Sequence, residues 1–388
     1  MGNNSIDLII IGAGPFGLSA ASFANFHKID YLVIGKPMSF WKENIPENMY
    51  LRSGLDWHLD PQGKYTIEAF INTKNKPQKN INPLPLSLFL EYATWFQDQQ
   101  NIHVLEKVIE KLDYLEEERK YLITLKDANT IKAKNVLIAI GFKFFIKLPH
   151  DLLKILPADS FTHTCDTVNF EKFKNKLVLI IGGRQSAYEW AALIVEAGAK
   201  TIHISHRHET PEFAESNWEW IDPFMDQMVD NPKWYSALTE QEKEEIDRKF
   251  WTEDSLKLEP WLLPRINRDN VKIWPLSNVI KCDESESGKY IVHIDNGDKL
   301  EVDHIILATG YKVDINNVPF LSSGNILSKL KINEGFPDLD GYLQTNLPGL
   351  YMTSLIATKS FGRFFAYTVS CRTSSNIIGS HIINSLKN

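Results

Sequence analysis

The chain has 388 residues, 43% hydrophobic and 23% charged, with a formal net charge of −7; this suits a globular enzyme with room for two domains. The mild acidity, without a basic block, argues against a nucleic-acid partner, and no apolar run approaches the roughly 18 residues that span a membrane, so a cytoplasmic protein is expected. Cys165, Cys282 and Cys371 lie too far apart for a disulfide framework or a CxxC pair.

Residues 7–11 form a short β-rich run that leads into Gly12-Ala13-Gly14-Pro15-Phe16-Gly17, a helical stretch over 18–26 and a second strand over 31–34. Strand, GxGxxG, helix, strand is the order of a dinucleotide-binding unit. The first glycine permits the tight turn, the second lets the backbone approach a pyrophosphate, and the third lets helix and strand pack. A hairpin turning at 127–129 follows, then an apolar strand ending in Gly141.

The pattern returns at 177–181, followed by Gly182-Gly183-Arg184-Gln185-Ser186-Ala187, a helix to 197 and a strand over 201–205. His203, His206 and His208 cluster at that strand's end, without metal-ligand spacing. Residues from about 210 to 265 interrupt the unit with Trp218, Trp220, Trp234, Trp251 and Trp261, and a capping box Thr239-x-x-Glu242 opens a polar helix. This insertion serves as a lid, a subunit contact in a homo-oligomer, or its own small core. The second hairpin turns at Asn296-Gly297, and the closing strand ends in Gly310. Gly12 to Gly141 spans 129 residues and Gly182 to Gly310 spans 128, so the unit occurs twice. The fold class is α/β with two Rossmann-like dinucleotide-binding domains. The expected division is 1–160 and 301–388 for the first domain and 161–300 for the second, inserted in it.

This layout resembles the two-dinucleotide-domain flavoproteins, which include disulfide reductases, flavin-containing monooxygenases and N-hydroxylating monooxygenases. The resemblance implies FAD in the first unit and NADPH in the second. Gln185-Ser186-Ala187-x-Glu189 is similar to the GQSAxE stretch of the ornithine and lysine N-hydroxylases, and Asp303-x3-Leu307-Ala308-Thr309-Gly310-Tyr311 to their D-x3-[LF]-ATGY signature. Met49-x-Leu51-x-Ser53 with Asp60-Pro61, Phe89-x-x-Tyr92-x-x-Trp95 and Trp41 also resemble class B flavin monooxygenase segments. Carried over, the resemblance implies cofactor contacts at Gly12, Gly14, Pro15, Phe16, Gly17, Lys36, Trp41, Met49, Leu51, Arg52, Ser53 and Gly141 in the first unit. In the second it implies Gly182, Gly183, Arg184, Gln185, Ser186, Arg207, Thr309, Gly310 and Tyr311. A C-terminal segment that includes Phe365, in a helix over 364–378, would return to cap the flavin.

Arg207, at the tip of the strand 201–205, suits the 2′-phosphate of NADPH, where an acidic residue would suit NADH. Two departures stand out. Arg184 takes the place of the second fingerprint glycine, and Gly35 stands where an acidic residue commonly holds the FAD ribose, which leaves Lys36 or a backbone group for that contact. The resemblance implies an FAD-dependent, NADPH-consuming monooxygenase that inserts one oxygen atom of O2 into a small molecule through a C4a-(hydro)peroxyflavin. No catalytic side chain is expected, because the flavin carries the reaction. Asp56 and Trp218 replace the lysine and asparagine that hold ornithine in the N-hydroxylases, so Asp56, Trp57 and Trp218 are the candidate substrate residues for an aromatic or apolar molecule. His163 is the one residue in common with the Baeyer–Villiger fingerprint FxGxxxHxxxW, and a structural hydrogen-bonding role is expected for it. A reductase of a quinone, disulfide or other acceptor is the alternative, and a non-catalytic flavin-binding regulator a third.

Overall fold

The computed structural model describes residues 5–74 and 81–387. Apolar runs flanked by glycine become buried parallel strands, because β-branched side chains pack on both faces of a sheet covered by helices. In chain order the first unit contributes β1 (Ile6–Ile11), α1 (Pro15–Phe26), β2 (Tyr31–Ile34), α2 (Leu86–Gln99), β3 (Val104–Leu105), β4 (Ile109–Leu115), β5 (Lys120–Leu125) and β6 (Thr130–Ile138). The second contributes β7 (Phe161–His163), β8 (Leu177–Ile181), α3 (Gln185–Glu196), β9 (Thr201–Ser205), α4 (Asp222–Asp230), α5 (Glu240–Asp254), β10 (Val271–Trp274), β11 (Val279–Glu284), β12 (Tyr290–Ile294), β13 (Lys299–Val302) and β14 (His304–Leu307). The chain then returns through β15 (Leu350–Met352) to α6 (Ser370–Lys387).

The first sheet runs β3-β2-β1-β6-β5-β4, and β15 lies parallel to the C-terminal half of β6. The second runs β10-β9-β8-β14-β7 with every pairing parallel, and β11, β12 and β13 form a separate antiparallel sheet. β14 pairs with β8, so the second sheet extends past residue 300. Both hairpin turns fall where the sequence places them, with Ala128 at φ +65° and Gly297 at φ +93°. The C-terminal helix differs: it begins at Ser370, after a short 3-10 turn over Arg363–Ala366.

α6 packs along α1. Ser375 Oγ donates to Ser19 Oγ at 2.9 Å, and a Cβ on Gly379 would lie 2.1 Å from the Phe23 ring, so glycine is what lets the helices approach. The insertion is not a self-contained core. Ile221, Met225, Met228, Tyr235 and Phe250 are buried in the same cluster as α1, α2 and α6, with Trp218, Trp220 and Trp234 packed against it, whereas Trp261 packs on the second unit. Phe89 and Tyr92 of α2 are core residues, and the Tyr92 hydroxyl ties two loop positions by donating to Tyr65 O and accepting from Leu59 N–H, each at 2.9 Å. No helix among the described residues is long and apolar enough to cross a membrane.

Candidate active site

The first fingerprint lies in the turn from β1 to α1. Gly12 has φ +110°, and a Cβ there would sit 2.3 Å from the Ala139 carbonyl oxygen; one on Gly17 would sit 1.9 Å from that of Gly12. Tight packing therefore demands both glycines. A Cβ on Gly14, by contrast, would meet nothing within 4 Å. Gly14 is the N-cap of α1, offers no side-chain cap and precedes Pro15, so free N–H groups of the first helical turn border that open space. An open cradle at an uncapped helix N-terminus fits a pyrophosphate. Around it, Phe16 is buried, Lys36 is exposed and paired with Glu43, and Trp41 packs on Phe89 with centroids 4.9 Å apart.

In the second fingerprint Gly182 has φ +142°, and a Cβ would lie 2.4 Å from the Ala308 carbonyl oxygen. A Cβ on Gly183 would strike the ring of His206 at 2.4 Å. His206 is buried between Tyr188, whose hydroxyl is 3.1 Å from Nε2, and the His208 carbonyl, 2.8 Å from Nδ1; burial lowers its pKa. His203 is engaged elsewhere, with Trp274 Nε1 donating to its Nδ1 at 3.0 Å. Ser186, in the first turn of α3, and Arg207, just past β9, are exposed. Arg207 has no ion pair among the described residues.

Between the units, three remote segments converge. Ser53 Oγ lies 3.4 Å from Thr368 Oγ1, joining the segment 49–57 to the C-terminal return. Trp218 of the insertion packs within 6.0 Å of Trp57, 5.6 Å of Phe250 and 6.2 Å of Tyr367, centroid to centroid. The Trp218 indole nitrogen is buried without a protein partner. Asp56 is exposed beside this wall, and Asp222 nearby has its carboxyl pKa raised by burial and by the Asp56 charge. Leu51 is buried, and Met49 packs against the core of the second unit.

Three residues expected to touch a cofactor also make extensive contacts within the protein. Arg52 donates to Glu259 Oε1 at 2.8 Å, Asp254 Oδ1 at 3.1 Å, the carbonyls of Asp254 and Glu253 at 2.9 Å, and Ser216 Oγ; it pins the insertion to the first unit. Gln185 donates to Glu189 at 3.1 Å and accepts from the Glu259 N–H at 3.1 Å. Phe365 is fully buried against Phe361 and Phe364. Glu189 is a fully buried carboxylate held by Trp261 Nε1 at 2.9 Å and Arg265 at 3.4 Å, with its pKa raised by burial. The QSAxE stretch thus anchors the end of the insertion to α3.

The chain leaves the two units through Gly141 (φ +65°) and Gly310 (φ +74°), both with open space where a Cβ would go, and the two connections meet where Lys147 N–H donates to Gly310 O at 3.0 Å. Thr309 Oγ1 donates to Lys147 O at 2.6 Å. The Tyr311 ring packs edge-on against His163 at 5.6 Å, and His163 Nδ1 accepts from the Cys165 N–H at 3.1 Å, the structural role expected of it. Burial raises the pKa of Cys165, pushes that of Cys282 up to about 11 and raises that of Cys371 far above its usual range. All three thiols are buried and unpaired. Five residues of this region escaped sequence reasoning. Asp254, Glu259 and Thr368 each lie more than 200 residues from the Arg52 or Ser53 they bond, and Phe250 and Tyr367 meet Trp218 from 32 and 149 residues away, so no local pattern marks any of them.

Two dinucleotide-binding units, one carrying an open pyrophosphate cradle, define a two-domain nucleotide-dependent oxidoreductase. A family model described as pyridine nucleotide-disulphide oxidoreductase matches residues 9–250, and the chain belongs to that family. The ferredoxin–NADP reductase of Lactobacillus gasseri is 31% identical over 216 residues, which are 54% of this chain and 57% of that protein; the match thus spans a little over half of the relative's length. Among solved structures, the ornithine N-hydroxylase of Kutzneria sp. 744 is similar with a TM-score of 0.81 at 15% identity, covering 99% of this chain and 100% of that one. The bacillithiol disulfide reductase of Staphylococcus aureus gives 0.68 at 19% identity, covering 98% and 99%. These likenesses establish the two-domain fold.

Proposed function

We propose that this flavin-dependent oxidoreductase is an NADPH-consuming FAD monooxygenase acting on a small apolar or aromatic molecule. The observation that carries this reading is the aromatic wall of Trp57, Trp218, Phe250 and Tyr367, formed where the segment 49–57, the insertion and the C-terminal return converge. When bound, FAD supplies the hydride acceptor and the chemistry of oxygen. The chain's own work is binding, orientation and exclusion of water. The N–H groups at the start of α1 hold the FAD pyrophosphate, Ser186 and the start of α3 hold the nicotinamide dinucleotide, and Arg207 takes its 2′-phosphate. The aromatic wall keeps water from the reacting region. The unpartnered Trp218 indole N–H and the exposed Asp56 orient the substrate. The closer fit to an ornithine N-hydroxylase, with a TM-score of 0.81 against 0.68 for the disulfide reductase, also supports this reading.

The second reading is a reductase, favoured by the similarity to a protein named ferredoxin–NADP reductase. A disulfide acceptor is disfavoured in either case, because the three buried thiols provide no cysteine pair for exchange. Stopped-flow mixing of NADPH-reduced holoprotein with oxygen separates the two. A monooxygenase gives a transient spectrum distinct from reduced and oxidised flavin, and with isotopically labelled oxygen it gives labelled product. Direct reoxidation with no transient, together with rapid reduction of ferredoxin or a quinone, would establish the reductase.

A further inference from the structure

Arg184 stands where the second fingerprint usually has glycine, as the N-cap of α3 with extended backbone (φ −113°, ψ −177°). Its side chain does not turn to solvent. Nη1 donates to the carbonyl of Ser255, the residue that caps the C-terminus of α5, and the guanidinium lies 4.9 Å over the ring of Trp251 in the last turn of α5. Arg363, from the C-terminal return, lies 5.8 Å over the same ring and reaches Asp247 at 3.5 Å. Arg184 forms no ion pair among the described residues, and Nη1 is its only donor with a hydrogen-bond acceptor there. The other guanidinium N–H groups remain available for an anion at the mouth of α3.

We propose that Arg184 is a strap that couples dinucleotide binding to closure of α5, one guanidinium nitrogen holding Ser255 while the other donors take the dinucleotide phosphates. The inference rests on the reading that the second unit binds NADP(H). It turns a departure from the glycine pattern into a positioning device: a backbone held off the pyrophosphate by a side chain gains a planar fork that can serve two acceptors at once. α5 carries Phe250 in the aromatic wall and Asp254, to which Arg52 and the Tyr367 hydroxyl both bond, so tightening α5 tightens the wall around the substrate.

The test compares hydrogen exchange across Glu240–Asp254 in the FAD-loaded full chain with and without saturating NADP+, alongside an equilibrium titration of NADP+. The native chain should show about tenfold slower exchange there on binding, the scale of a hydrogen bond to a charged group. Arg184→Gly is compatible with the extended backbone but loses the phosphate donors, so it should bind NADP+ more weakly and, at a concentration the titration shows to be saturating, change exchange less than twofold. Arg184→Lys keeps the charge but lacks the fork, and should likewise bind NADP+ without the added protection. Equal protection in both variants, or NADP+ bound to the native chain with no protection, would overturn the strap alone. A native chain that binds no NADP+ in the titration would overturn the dinucleotide reading, and the strap with it.

Discussion

At the scale of single residues, the two kinds of fingerprint glycine make opposite predictions. Gly14→Val places its side chain in space the protein leaves open, so thermal unfolding of the apoprotein should be nearly unchanged while the purified protein loses its flavin. Gly17→Ala drives a Cβ into the Gly12 carbonyl and should lower stability by several kcal/mol, as overpacking against a rigid backbone does. Full flavin occupancy in Gly14→Val would remove the pyrophosphate assignment. Arg207→Ala should raise the Michaelis constant for NADPH about 10- to 100-fold and leave that for NADH nearly unchanged, since a charge-assisted hydrogen bond is worth roughly 1.5–3 kcal/mol; equal loss with both cofactors would make the arginine structural. His58 carries a pH prediction. It is 6% exposed, lies 2.9 Å from Arg372 Nη1, and has a pKa lowered to about 4, chiefly by burial and then by the arginine charge. The unfolded chain therefore takes up a proton at this position between pH 6.5 and about 4 while the folded chain does not. The contribution is fully present above pH 6.5 and is lost as pH falls through that window, by roughly 3 kcal/mol at most. Denaturant titrations across that range should show a shallower loss in His58→Gln than in the native chain.

At the scale of elements, the insertion is held by polar clamps. Arg52 reaches four of its residues, and its partner Glu259 is 5% exposed. Arg52→Ala leaves that carboxylate buried without its cation, and removal of one partner from a buried pair costs about 3–5 kcal/mol. Urea unfolding should show that loss, and proteolysis within 212–259 should quicken before global unfolding. The capping box at Thr239 is exposed and local; Thr239→Ala should cost only about 1 kcal/mol. Elements of this kind could be read from the sequence, because caps, two-residue turns and alternating glycines act over a few residues. The start of α6 could not. The segment 363–369 is apolar enough to read as helix, yet Gly362 at φ +91° and the packing of Phe364 and Phe365 into the core hold it in a 3-10 turn, a single extended residue at Tyr367 and a second turn.

At the scale of the whole molecule, the aromatic wall exists only because residues near 55, 218, 250 and 367 meet. Trp218→Ala would open it to water, so under the monooxygenase reading the ratio of hydrogen peroxide released to NADPH consumed should rise several-fold, while flavin content stays constant. An unchanged ratio would place Trp218 outside the reacting region. The duplicated strand-glycine-helix pattern by itself determined the two units, their order and the turns that cradle a dinucleotide, since those depend on contacts between near neighbours and on glycine's access to positive φ. Only the tertiary structure decided which distant protein groups Arg52, Gln185 and Phe365 meet, that the insertion shares the core of the first unit, and that Arg184 reaches α5. Those assignments depend on which distant groups compete for the same donor or the same cavity, and that competition is settled only when the chain is packed.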